Sequence, residues 1–324
     1  MRRILSLGGG GIKGATTAAY LAHMEEVSGR AVVDCFDLIA GTSTGGILAI
    51  ALAMRVPASD LVEFYRQSGP EIFPRDRSTL DGWWSLWRHL RKGKYSAAPL
   101  AKAVDNVLRE RRLGNAETRL VIPATQPARA EMYLFKTRHH ALFQRDHRLL
   151  ARDVALATSA APSYLPQHQI PNLGLFADGG LWANNPVGIA VSEAVSYLDW
   201  DPNDLHVLSI ETPQEAQVIP AGGATEWISG PRVLARTGNL QSTAARGTAL
   251  ALMRDVGRLP RPGRMVDAIT GGFPAGYFHL DQVGQIEALL GAGNSEARKQ
   301  ASEVVGRFFN ESKERFVAIP MPGE

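Results

Sequence analysis

Three short stretches carry residues whose types and spacing suit chemistry. The first is Gly41-Thr42-Ser43-Thr44-Gly45, a G-x-S-x-G turn between the apolar runs FDLIA and ILAIALA. A serine on a sharp strand-to-helix turn stands proud of its sheet, and small neighbours leave room around it. The helix that follows offers unpaired N–H groups and the positive end of its dipole, both of which favour negative charge near the serine oxygen. That is the setting of an acyl-transfer nucleophile. Helix capping is the other use of a serine at this place.

The second stretch is LGGGGIKG, with glycine at positions 8 to 11. Gly9, Gly11 and Gly14 fit G-x-G-x-x-G, and Asp34 follows at about the distance of roughly twenty residues that a dinucleotide site wants. The third is Ala177-Asp178-Gly179-Gly180, which is an ordinary turn sequence when read alone. Read together, the three supply what an acyl hydrolase needs: a nucleophile, a base, and donors for the oxyanion. Ser43 is the candidate nucleophile and Asp178 the candidate base. The backbone N–H groups of Gly9, Gly10 and Gly11 are the candidate oxyanion hole, because glycine lets the backbone approach a substrate oxygen. A carboxylate held by the N–H groups of Gly179 and Gly180 stays ionised, and partial desolvation raises its basicity. A dinucleotide-binding protein explains the first glycine loop and leaves the other two turns idle.

The elements that position these turns alternate. RILSL reads as a strand, ATTAAYLAHMEEVSG as a helix ending at Gly29, VVDCFDLIAG as an apolar run ending at Gly41, and STGGILAIALAM as a helix. LVIPATQPA, EMYLFKT and DLHVLSIET read as strands, DVALATSAAP as a helix, and LFADGGLWANNP as a strand, a turn and a return. Residues 58–112 look helical, 213–275 are rich in Gly, Pro and Arg with a helical stretch near Thr243 to Arg254, and 281–315 form one or two amphipathic helices. Strands alternating with helices predict an α/β domain around a mainly parallel sheet.

Four motifs in this order, GGGGIKG, GTSTGG, ATSAAPSYLP and FADGGLWANNP, resemble the patatin-like phospholipases. The resemblance runs from about Arg3 to about Thr212, and KYSAAPLAKAVDNVL (Lys94 to Leu108) looks like that family's segment after its cap. It implies a three-layer α/β/α fold with a mainly parallel central sheet and a helical cap segment at about 58–112. Residues 1–212 are then the catalytic core, and 213–324 the C-terminal part of the same domain. It also implies lipid acyl hydrolysis by a Ser-Asp dyad, with no metal and no cofactor. By motif position, Ser43 and Asp178 form the dyad and Gly9, Gly10 and Gly11 the oxyanion hole. Lys13 is the basic residue after it, and Gly41, Gly45, Gly179 and Gly180 support the turns. Two positions depart from the family pattern: Gly8 stands where Asp is usual, and Lys13 where Arg is frequent. Lysine keeps the charge but loses the bidentate fork.

The chain also resembles the small bacterial effectors of this family that act in antiphage defence when a cyclic dinucleotide switches them on. Arg246, Arg254, Arg258, Arg261 and Arg264 form a basic clump suited to two phosphates, and a solvated face is the other reading of such a run. In DGWWSLWRHLRKGKY, Trp83, Trp84 and Trp87 beside arginine and lysine have the look of an interfacial helix, or of a lid over the site. A phospholipid membrane is therefore the expected substrate surface and a cyclic dinucleotide the expected activator, in a cytoplasmic protein with peripheral membrane contact. The oligomeric state stays open.

Composition excludes several classes. A formal net charge of +3 over 324 residues argues against a nucleic-acid polymer as partner. Cys35 is the single cysteine, so neither a disulfide framework nor a cysteine-built zinc site is available. No His pair has H-E-x-x-H spacing. The alternative among hydrolases is a Ser-His-Asp esterase on soluble esters, with His206 or His279 following Ser43 and Asp178. His206 sits in HVLSI, which reads as buried strand, and His139 and His140 read as a surface turn.

Overall fold

The computed structural model describes residues 1–74, 94–212, 230–254, 263–269 and 283–320. β1 (Arg2–Leu7) is the centre of an eight-stranded sheet. It pairs in parallel with β2 (Leu38–Gly41) on one side and with β7 (Leu205–Ile210) on the other. β2 continues in parallel to β3 (Arg119–Gln126), and β7 to β8 (Met265–Ala268). The antiparallel members lie at one end: β4 (Glu131–Lys136) and β6 (Gly174–Asp178) both pair with β3, and β5 (His168–Ile170) pairs with β6.

Side chains alternate across a strand, and here both faces are apolar. Leu5, Ile39 and Leu208 enter one core, while their neighbours Ile4, Leu38 and Val207 enter another. The first core is covered by α1 (Gly14–Ser28), α3 (Thr44–Ala53), α4 (Ala58–Ile72), α5 (Ala98–Leu108), α6 (Ala151–Thr158) and α10 (Ile286–Phe308). The second is covered by α8 (Val187–Ser196) and α9 (Gly230–Leu252). Helices on both faces of a parallel-centred sheet make the expected three layers.

The structure refines several of these elements and corrects one. The apolar run VVDCFDLIAG divides in two: α2 (Val32–Cys35) forms a helical turn before β2. The ADGGLWANNP segment does not return as a strand, because α7 (Gly180–Ala183) follows β6 directly. The described parts of the 58–112 segment are helical, as expected, and pack into the main core. Leu61, Phe64 and Tyr65 of α4 and Val104 and Leu108 of α5 are buried in the main core, since their apolar stripes need that cover. β8 was not foreseen: four residues, half of them only partly buried, give too short a pattern.

Candidate active site

The geometry of β3 places the two candidate side chains, Ser43 and Asp178. One edge of β3 is shared end to end. β2 occupies it from Arg119 to Val121, and β6 occupies it again at Ala124 and Thr125, running the other way. Pro123 lies between, with no N–H to offer a partner strand. The chain leaving β2 at Gly41 and the chain finishing β6 at Asp178 therefore meet above that gap. The Ser43 hydroxyl donates to Asp178 Oδ2 at 2.6 Å. Both residues are buried, at 8% and 5% exposure.

Ser43 is held in an uncommon backbone conformation, φ 57° and ψ −126°. A non-glycine residue pays for positive φ, and such strain concentrates at functional turns. Its side chain makes no capping bond to α3, so helix capping is not its use. α3 starts one residue later and packs tightly under the turn. A Cβ on Gly45 would run into the Leu7 carbonyl oxygen, so only glycine permits this approach of helix to strand.

Asp178 has no cationic partner among the described residues. Its other oxygen, Oδ1, accepts the Gly180 N–H at 2.6 Å. Burial pushes its pKa up to about 6, against the opposing pull of the Ser43 hydroxyl and the Gly180 N–H. A carboxylate near that value is ionised at neutral pH and more basic than an exposed one, which suits a general base. Of the two N–H groups expected to hold it, Gly180 does. Gly179 does not, because its N–H goes to the Thr158 carbonyl at 3.2 Å.

The glycine loop lies against this pair, and a Cβ on Gly9 would come 3.2 Å from that of Ser43. The loop is pinned on several sides. Gly8 N–H bonds the Ile210 carbonyl at 2.9 Å, Gly9 N–H the Asn184 carbonyl at 2.9 Å, and the Thr212 hydroxyl donates to the Gly9 carbonyl at 2.8 Å. Gly9 is thus removed from the expected set of oxyanion donors, because its N–H is already spent. Gly10 and Gly11 keep N–H groups with no backbone acceptor among the described residues. A Cβ on Gly10 would collide with the Thr212 side chain. Lys13 closes the single 3₁₀ turn that follows.

Sequence reasoning missed the residues that hold this arrangement. Thr42 donates to the Ala183 carbonyl at 2.6 Å, and the Thr158 hydroxyl accepts the Ser43 N–H at 3.0 Å. Asn185 Oδ1 accepts from Ser6 at 3.2 Å and from the Val187 N–H at 3.0 Å, while its Nδ2 donates to Glu211 at 2.7 Å. The one available signal was their place inside GTSTGG, ATSAAP and ANNP, next to residues already singled out.

Other candidates fall away from the site. Asp34 precedes β2, so it stands at the amino end of the sheet while the glycine loop stands at the carboxyl end. It pairs with Arg55 at 2.7 Å, and the dinucleotide arrangement is not formed. No histidine bonds Ser43 or Asp178 among the described residues. His206 is the second residue of β7, near the amino end of the sheet and in register with Arg3. His139 is not on a surface turn: it is buried and bonds Glu193 at 2.9 Å. Arg246 is paired with Asp267 at 2.6 Å, and Arg264 donates to the Pro202 carbonyl at 2.5 Å and to that of Met253. These two guanidiniums thus serve separate partners. Trp83, Trp84, Trp87, Arg258, Arg261 and His279 lie outside the described residues. No group of three or more metal-ligating side chains occurs among the described residues, and no described helix is long and apolar enough to cross a membrane.

The chain is similar to several known proteins. The family model described as patatin-like phospholipase matches residues 5–191. A protein of Pseudomonas aeruginosa named cGAMP-activated phospholipase is 36% identical over 229 residues, which are 69% of this chain and 66% of that protein. One of the same name from Vibrio cholerae is 37% identical over 65% of this chain and 64% of that protein. Patatin-like protein 2 of Arabidopsis thaliana is 32% identical over 62% of this chain and 54% of its own. The matched region thus spans less than two thirds of the length of each of these relatives.

Proposed function

The chain belongs to the patatin-like phospholipase family, and from that premise we propose that it hydrolyses phospholipid acyl esters through a Ser43–Asp178 dyad. The observation that carries this reading is the direct 2.6 Å bond from the serine hydroxyl to a buried carboxylate whose pKa stands near 6. Asp178 takes the Ser43 proton as Oγ attacks the ester carbonyl carbon. The N–H groups of Gly10 and Gly11 hold the oxyanion, with the start of α3 adding its dipole. Collapse expels the alcohol half of the lipid, which receives the proton from Asp178. Water then attacks the acyl-serine, Asp178 accepts its proton and returns it to Oγ, and the fatty acid leaves.

We further propose that a cyclic dinucleotide activates the enzyme, as the names of the bacterial relatives state for those proteins, and that the setting is antiphage defence at the membrane surface from the cytoplasm. The test is fatty-acid release from phospholipid vesicles by wild type and Ser43→Ala, with and without cyclic GMP–AMP and other cyclic dinucleotides. Release by wild type with one nucleotide, absent in the serine variant, is the expected result. Release from soluble esters alone would replace the lipid reading with an esterase.

A further inference from the structure

We propose that Thr158 is the positioning residue of the dyad, fixing the nucleophile turn with its side chain and the base turn with its backbone. This rests on the reading of Ser43 and Asp178 as the reacting pair. Thr158 is the last residue of α6 and is fully buried. Its hydroxyl accepts the Ser43 N–H at 3.0 Å and donates to the Pro123 carbonyl at 2.6 Å. Its own carbonyl accepts the Gly179 N–H at 3.2 Å, and two residues later the Ala160 carbonyl accepts the Asp178 N–H at 3.0 Å. One three-residue segment therefore ties both members of the dyad and the strand gap beneath them.

A hydroxyl is required for this. The Ser43 N–H belongs to a residue of positive φ between strand and helix, and neither element supplies it an acceptor. The Pro123 carbonyl faces the gap between β2 and β6. A single group must accept from one and donate to the other, and a serine or threonine hydroxyl does both. Losing it leaves two buried polar groups unpaired and a strained turn unsupported. The Thr158 methyl has a separate duty: a Cβ on Gly46 would lie 2.7 Å from Cγ2, so the methyl fills the space that this glycine leaves. Threonine here combines a bonding task and a packing task, and substitutions separate them.

The experiment compares Thr158→Val, which keeps the shape and removes the hydroxyl, with the pair Thr158→Ser and Thr158→Ala, which differ only in the hydroxyl. Thermal unfolding establishes the folded fraction. Vesicle assays give kcat and KM, and the rate of Ser43 labelling by a fluorophosphonate gives a second readout that needs no lipid, both measured with and without the cyclic dinucleotides named above. For Thr158→Val a fall in kcat of about 100-fold is expected, the size of effect that misplacing a reacting group by an ångström produces. KM stays within about threefold, because Thr158 makes no substrate contact. Thr158→Ser is expected to retain most of the activity and to exceed Thr158→Ala by about tenfold or more in both kcat and labelling. Should Thr158→Val fail to fold, the Ser/Ala pair decides. A folded Thr158→Val with wild-type kcat overturns the proposal, as do equal rates for Thr158→Ser and Thr158→Ala, which would mark the residue as packing. If wild type releases no fatty acid but its Ser43 is labelled, the lipid reading fails while labelling still ranks the variants. Wild type that is not labelled at Ser43 overturns the dyad and this proposal together.

Discussion

Asp178 and Glu193 are both buried carboxylates, at 5% and 3% exposure, and the molecule treats them in opposite ways. Glu193, on α8, is ringed by positive and donor groups. Lys136 Nζ lies 2.7 Å from one oxygen and His139 Nε2 2.9 Å from the other. Lys136 is itself stacked over Phe143 and Tyr197, at 4.2 and 4.4 Å from the ring centres. Asp178 has a serine hydroxyl, one backbone N–H and, among the described residues, no cation. The first arrangement neutralises its carboxylate and ties a strand end to a helix. The second leaves its carboxylate costly to ionise and therefore ready to take a proton. Equal burial makes a structural strut or a base according to whether a cation is supplied. The two also sit at opposite ends of β3, because Lys136 pairs with Val121 near its start and Asp178 with Ala124 near its finish.

The sharpest break of this contrast is removal of the proton acceptor. Asp178→Asn, like Ser43→Ala, is expected to lower turnover by about 1,000-fold or more, within the range that general-base and nucleophile losses produce. Fatty-acid release on protein shown to be folded by circular dichroism checks it. On the other side, Lys136→Met strands the Glu193 charge and is expected to cost about 3–5 kcal/mol of stability, as breaking buried pairs does. Denaturant unfolding measures that loss, and the pH dependence of turnover in this variant should keep its wild-type midpoint.

Stability and activity should part company at Asp178. Its folded pKa of about 6 lies above the ordinary 3.8, so the folded protein binds this proton more tightly than the unfolded chain does. Ionisation therefore counts against the fold above about pH 6, and the penalty fades as pH falls towards 4. Asp178→Asn, though inactive, is expected to be more stable than wild type at pH 8 by on the order of 2–3 kcal/mol. The gain should shrink towards zero near pH 4, which unfolding at a series of pH values will show. A gain that does not change with pH would mean that burial is not what raises this group. The smallest effect is kinetic: kcat/KM should fall about tenfold per pH unit below pH 6 as Asp178 protonates. A limb that begins near pH 4 would place the base elsewhere.

Much of the site was legible because its signals are local. G-x-S-x-G between an apolar strand and an apolar helix marks a candidate nucleophile within a dozen residues, and Asp178 stood out through its two glycines. Both turned out to be adjacent, although 135 positions separate them. What stayed illegible depended on partners far along the chain. Gly9, Gly10 and Gly11 look alike in sequence, but the Asn184 carbonyl takes the N–H of Gly9 and leaves the other two. Thr158 sits in a motif that was noticed, yet its hydroxyl meets an N–H 115 residues away. Asp34 kept the spacing of a ribose-binding acid, but it lies in the α2 turn ahead of β2, at the wrong end of that strand. His139 looked like part of an exposed turn until α8 was laid over it. Helices α4 and α5 were legible as helices, and only the first core shows where their apolar stripes go.

The sequence by itself determined the kinds of group and their immediate geometry. It set a serine on a strand-to-helix turn, an aspartate at a strand end, glycines where backbones must pass close, and alternating apolar strands that need helices on both faces. These follow from steric limits and periodicities that act over a few residues. The tertiary structure alone decided that β6 shares an edge of β3 with β2 across Pro123, which glycine N–H groups stay without a backbone acceptor, and that Asp178 is buried with no cation beside it among the described residues. Those depend on which distant groups fill each hydrogen bond and exclude water, and desolvation has no meaning until the chain has folded around the charge.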